Sequence, residues 1–325
     1  MATFSVIAQK PFKPTDRAYP VGKMVVHDPV IAFEDGTYFM YSTGMGITVS
    51  SSADGMKTWH FEESLFDTIP SWAKEKIPNF RGHMWAPDII RHNGRWHIFY
   101  VCSIGGKNTS LIGHISGKTL NPRSSEYGWE DHGIIVQSIP GRDMWNAIDP
   151  NIIFDDEGTP WMTFGSWWEG IKLVRMSNDL MSFAEPQEWH TISRRPRSFG
   201  YDDDDAGDAP VEAPFIIRHG DFYYLFVSFD YCCRGVDSTY KVVVGRSEKI
   251  TGPYLDKDGQ RMDRGAGSIV VQGNDQWAGI GHNAAYTFEG KDIFVSHAYS
   301  RQDGQSYLFL KDLKWDQGGW PIVEY

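Results

Sequence analysis

The sequence predicts an all-β protein folded as a five-bladed β-propeller, and three observations carry that reading. Short runs rich in aromatic and β-branched residues, broken by Gly, Asn, Asp and Pro, dominate the chain. Aromatics make up 14% of its 325 residues, which also include 33 glycines. Above all, one pattern recurs. It reads "HDPVI" at 27, "WAPDII" at 85, "IDPNII" at 148 and "EAPFII" at 212, with "GHNAAY" at 281 as a weaker fifth copy. The prolines, Pro29, Pro87, Pro150 and Pro214, are 58, 63 and 64 residues apart.

Each unit unfolds in the same order. A first strand follows the proline, and a glycine turn ends it at Gly36, Gly94, Gly158, Gly220 or Gly290. An aromatic second strand comes next, as in "TYFMYST" and "FYYLFVS", and then an alternating third strand such as "YKVVVGRS". Three or four such strands make one antiparallel sheet that cannot bury both its faces alone, so the sheets must stack about an axis as propeller blades. A chain of this length exceeds the usual ceiling for one compact core, and the repeat resolves that as a single propeller domain over residues 1–325. No segment sustains helical periodicity; only "SWAKEKIPNF" reads as a brief helix. Either the tail "GGWPIVEY" or the segment before His27 is expected to complete the last blade.

Composition narrows the partners. A net charge of −11 with no Lys/Arg-rich stretch argues against nucleic acid and anionic membranes, both of which require a basic footprint. No apolar window is long enough to span a bilayer, and "MATFSVIAQKPFKP" lacks the apolar region of a secretory signal. The expectation is a soluble protein, cytoplasmic or secreted after loss of a leader. The three cysteines, Cys102, Cys232 and Cys233, are odd in number and lack ligand spacing, so neither a disulfide framework nor a zinc site is expected, only small residues on strands.

In a propeller the first strands lie nearest the channel, so corresponding residues of successive units converge on one axis. Asp28 and Asp149 directly precede the prolines of units one and three, and Glu212 stands two residues before Pro214 in unit four. Acids before proline commonly just cap a strand. Three of them aimed into one funnel instead suggest acid/base chemistry, because crowding and desolvation raise some carboxyl pKa values and leave others ionised.

The stretches "HDP", "MWAPDI", "NAIDPNI", "FGSWWEGIKL", "VEAPFI", "YYLFVSFDYCCRGVDSTYKVVVGRS", "ITGPYLDKDG" and "GHN", in this order, closely resemble the endo-1,5-α-L-arabinanases of glycoside hydrolase family 43, from about His27 almost to the C-terminus. The resemblance implies an inverting hydrolase of arabinan or arabino-oligosaccharides. It gives Asp28 the role of general base, Glu212 that of general acid, and Asp149 that of orienting the acid and holding its pKa high. It further implies that His27, Trp85, Asn146, Ile148 and Trp168 line the sugar subsites, and that His282 touches a bound calcium whose shell is completed by water. Calcium's preference for oxygen ligands makes a lone histidine a weak anchor, and a satisfied core histidine is the alternative.

The chain also departs from the pattern. Upstream of Glu212 lies an acidic stretch, Asp202 to Asp205 plus Asp208, which reads as a solvated loop, a groove rim or a cation site. If it blocks one end of the groove, cleavage would proceed from chain ends. Trp167 and Glu169 replace an expected phenylalanine and a small residue. The rival readings are an exo-acting arabinanase, an α-L-arabinofuranosidase or a β-xylosidase of the same family, and, from another class, a non-catalytic glycan-binding propeller.

Overall fold

The computed structural model describes residues 6–7 and 17–325, which form five antiparallel sheets in chain order. Blade one comprises Val30–Glu34, Thr37–Ser42, Thr48–Ser52 and Thr58–Phe61. Blade two comprises His83–His92, Arg95–Ser103, Ser110–Gly117 and Trp129–Ser138. Blade three is the smallest, with Asn151–Phe154, Pro160–Phe164, Ile171–Arg175 and Trp189–Ser193. Blade four has Val211–His219, Phe222–Phe229, Lys241–Ser247 and Ser268–Val271. Blade five has Trp277–Phe288, Lys291–Ser300, Ser306–Trp315 and Pro321–Val323. The expected helix is present as the single turn-and-a-half Ser71–Lys76. Among the described residues no helix is long and apolar enough to cross a membrane.

The glycine turns sit where the pattern placed them. Asp35–Gly36, Asn93–Gly94 and Glu289–Gly290 all take positive φ between paired strand ends, the type I′ hairpin geometry that Asn-Gly and Asp-Gly favour. All five turns close the same end of the propeller. The starts of the first strands, and the longer loops that follow the second and fourth strands, therefore gather at the other end.

First strands of neighbouring blades splay apart and cannot form a continuous ladder, so side chains stitch them together. Asp88 Oδ2 accepts from Ile152 N at 2.7 Å, Asn151 Oδ1 from Ile216 N at 2.9 Å, and the Tyr286 hydroxyl from Ile31 N at 3.2 Å. These bonds join blade two to three, three to four, and five to one. Aromatic and aliphatic clusters fill the spaces between blades.

Both expected closures occur. The tail strand Pro321–Val323 pairs with the far half of Ser306–Trp315, while Val25 bridges Tyr307 and Leu308 N donates to Met24 O along its near half. One strand thus holds both the C-terminal tail and the segment that leads into blade one.

The cysteine expectation needs correction. Cys102 is a buried strand residue, but Cys232 and Cys233 are bonded to one another and lie in the loop after the second strand of blade four. Adjacent cysteines can pair without linking distant parts of the chain, which counting cysteines does not anticipate.

Candidate active site

The first strands do not start regularly. Register skips at Trp85/Asp88, Glu212/Phe215 and Gly281/Ala284 mark bulges in blades two, four and five. Asp28, Asp149, Ala213 and His282 hold left-handed backbone, with φ of 54°, 58°, 54° and 52°. For non-glycine residues this conformation costs roughly 1–2 kcal/mol each. Bulges re-aim side chains, and strain of this kind collects at functional sites. Asp28, Asp149 and His282 therefore share one structural position. Glu212 stands one residue earlier, at the position of His27, Trp85 and Ile148.

Asp28 is nearly buried and surrounded by imidazoles. His27 Nδ1 lies 2.8 Å from Oδ2, and His282 Nδ1 3.0 Å and His297 Nδ1 3.4 Å from Oδ1. The Thr43 hydroxyl donates to Oδ2 at 2.5 Å. Burial pushes this carboxyl upward, but the charge and hydrogen bonds of His27 and His282 outweigh it and hold Asp28 well below the ordinary carboxylate range. Burial works against the His282 cation too, yet Asp28, Asp149 and Glu212 attract it strongly enough to raise its pKa to about 9. His297 is fully buried, accepts from Asp28 N at 3.1 Å, and is held neutral by burial.

Asp149 behaves oppositely. Burial, followed by the proximity of Glu212 and Asp28, raises it to about 8 despite the pull of His282 and a 2.9 Å hydrogen bond from Ala213 N. Glu212 is half-exposed and accepts from the Tyr240 hydroxyl at 2.8 Å and from Ser166 Oγ at 2.9 Å. Burial and the same three carboxylates keep the Tyr240 phenol protonated, with its pKa well above normal. The acids of blades one, three and four thus share one electrostatic site.

Sequence reading did not single out Thr43, Ser166, Tyr240, His297 or Tyr299. A signal existed for two of them. Thr43 and Ser166 follow the aromatic second strands of blades one and three, in "YST" and "FGS", where a hydroxyl reaches the same end as the carboxylates.

The expected subsite residues divide. His27 and Trp85 are half-exposed beside the carboxylates' strand starts. Asn146 and Ile148 are nearly buried, with Asn146 Oδ1 accepting a long hydrogen bond from Ser138 Oγ at 3.4 Å. Trp168 is the most covered of them, at 3% exposure, and its indole N–H donates to Asp203 O at 2.9 Å. The half-exposed neighbour Trp167 instead faces Tyr231, with ring centroids 5.6 Å apart.

Trp168 anchors the acidic stretch, which is firmly held. Arg197 donates to the carbonyls of Asp202 and Asp205, Ser198 binds Asp208, and Lys107 from blade two reaches Asp204 at 2.8 Å. Its acids are exposed or engaged by neighbours rather than turned on a common cation.

The residues present are a poor match to calcium, which takes six to eight oxygen ligands. Among the described residues, those close enough together to share an ion are His27, Asp28 and His297, which offer two nitrogens and one carboxylate. His282 turns Nδ1 to Asp28 and binds its proton up to about pH 9. No step of the chemistry is routed through an ion.

An ionised buried carboxylate beside a carboxyl that keeps its proton is the arrangement that glycosidic hydrolysis requires. The sequence profile of glycosyl hydrolases family 43 matches residues 18–321. This chain belongs to glycosyl hydrolase family 43. A relative described as an extracellular exo-α-(1→5)-L-arabinofuranosidase from Cellvibrio japonicus is 53% identical over 300 residues, covering 92% of this chain and 86% of the relative. An extracellular endo-α-(1→5)-L-arabinanase of Bacillus subtilis is 39% identical over 302 residues, covering 91% and 87%. The structure of a Cellvibrio cellulosa α-L-arabinanase complexed with arabinohexaose superposes with a TM-score of 0.90 at 52% identity, over 93% of this chain and 96% of that one. The five-bladed architecture is therefore that of family 43 arabinanase structures.

Proposed function

We propose that this protein hydrolyses α-1,5-linked L-arabinofuranosyl chains with inversion, acting from chain ends. The observation that carries the reading is the opposed proton preference at one site: Asp28 is held ionised while Asp149, beside Glu212, keeps a proton to about pH 8. Asp28 is the general base that deprotonates the attacking water. Glu212, half-exposed and oriented by Tyr240 and Ser166, is the general acid at the leaving oxygen. Asp149 sits behind it, bonded to the next backbone amide, and retains a proton within the carboxyl pair. Inversion needs a water between acid and base, and hence a gap of roughly 6.5–9.5 Å.

The substrate assignment draws on the arabinan-active relatives. Chain-end action, rather than the internal cleavage suggested by the sequence motifs, is favoured by the 53% identity to an exo-acting relative against 39% to an endo-acting one. The acidic loop is tied down by Trp168 and Lys107, and such a fixed loop at one end of the groove would favour cleavage from chain ends. Both relatives are described as extracellular, and a disulfide fits an oxidising compartment. Debranched arabinan provides the test. A single short product accumulating from the first minutes is expected; a ladder of oligomers would point to internal cleavage. Glu212→Ala should lower kcat by about two to four orders of magnitude, and NMR of the fresh product should show the inverted anomer.

A further inference from the structure

The loop between the second and third strands of blade four crosses the carboxylate mouth and carries the Cys232–Cys233 disulfide, which the acid/base chemistry leaves unused. On one side, Cys233 Sγ lies 3.8 Å from His27 Nε2. Cys233 N also donates at 3.0 Å to the Tyr299 hydroxyl, which is itself 2.5 Å from His27 Nε2. His27 in turn flanks Asp28. On the other side, Cys232 packs on the buried cluster of Tyr240, Ala278 and Tyr299, and Tyr240 is the donor to Glu212. The disulfide therefore spans from the neighbour of the base to the neighbour of the acid. Cys233 is exposed and Cys232 half-buried, so the disulfide is accessible beside the groups that flank Asp28 and Glu212.

We propose that the Cys232–Cys233 disulfide is a wall of the sugar-binding site, an apolar surface against which the C–H face of a pentofuranose ring rests. A disulfide suits that task because its sulfurs are polarisable, make no strong hydrogen-bond demand and are fixed in place, much like the aromatic faces that usually hold sugars. His27 and Tyr299 border it with polar groups for the ring hydroxyls. Reduction would replace one fixed surface by two rotating thiols. The inference rests on the arabinan-hydrolase reading and specifies how that site grips its substrate.

The test combines thiol counting with steady-state kinetics on linear arabino-oligosaccharides. Denatured, unreduced protein should show one thiol, from Cys102, and reduced protein three. Reduction of the wild type, and the double variant Cys232→Ser/Cys233→Ser, should each raise KM about tenfold with a smaller change in kcat, and reoxidation of the wild type should restore it. Three thiols before reduction, or an unchanged KM in reduced wild type, overturns the proposal. So does a fall in kcat alone, which would mark the loop as only a support for Tyr240 and His27. If oxidised wild type does not cleave arabinan, the proposed function fails instead. Calorimetric binding of the same oligosaccharides before and after reduction then decides the subsite.

Discussion

At Asp28, burial alone would leave a protonated carboxyl that could not accept a proton from water. The charge and hydrogen bonds of His27, and then of His282 with its Nδ1 3.0 Å away, together reverse this, and the carboxylates around His282 keep it charged to about pH 9. The sign of a substitution follows. His282→Asn removes the cation, while asparagine tolerates the left-handed backbone at that position. Only His27 then opposes burial, so the Asp28 pKa rises and the acidic limb of the kcat/KM profile moves to higher pH. A shift of at least about one unit is expected, equivalent to ~1.4 kcal/mol of lost preference for the ionised form. A profile that loses height without moving would show that His282 does not set the charge of the base. Three of the carboxylates were legible in the sequence because proline and an apolar run mark each strand start. The histidines around Asp28 were only partly legible. His297 lies inside an ordinary hydrophobic strand and meets Asp28 only when blade five closes on blade one.

At the scale of the strand, the repeat located every first strand but not its bulge. Nothing in "VEAPFI" announces that Ala213 takes φ of 54°, since alanine has no preference for that region; the bulge is imposed by the need to turn Glu212 toward its hydroxyl donors. Ala213→Gly should relieve the strain and raise stability by about 0.5–1 kcal/mol, partly offset by the greater freedom of glycine in the unfolded chain. The measurement is the urea midpoint at constant m-value. A lower midpoint would mean that the methyl group contributes packing worth more than the strain it costs. The difference in cover between Trp167 and Trp168 was hidden from the sequence for a related reason. Consecutive tryptophans in "SWWEG" look alike in sequence, and only the loop carrying Asp203 decides which is covered.

For the whole molecule, the seam between blades five and one matters most, because the base belongs to one side of it and three groups that support it to the other. Asp28 stands on blade one, whereas His282, His297 and Tyr299 stand on blade five. Backbone pairing at that seam runs along the strand Ser306–Trp315, which pairs with the tail along one half and with residues 24–26 along the other. Removing residues 321–325 deletes the outer strand of blade five and leaves the contact with residues 24–26, the Tyr286–Ile31 hydrogen bond and the packing between the blades to hold the seam. Two effects should separate. Thermal unfolding should come earlier, since blade five loses a strand and the burial of Val323. Below that transition, activity should already fall and its acidic limb should shift upward, in the same direction as in His282→Asn, because a loosened seam moves the imidazoles away from Asp28. A truncated enzyme that melts early yet keeps the wild-type pH profile would show that the two halves of the strand act independently, and that the remaining contacts across the seam keep the base in register without the tail.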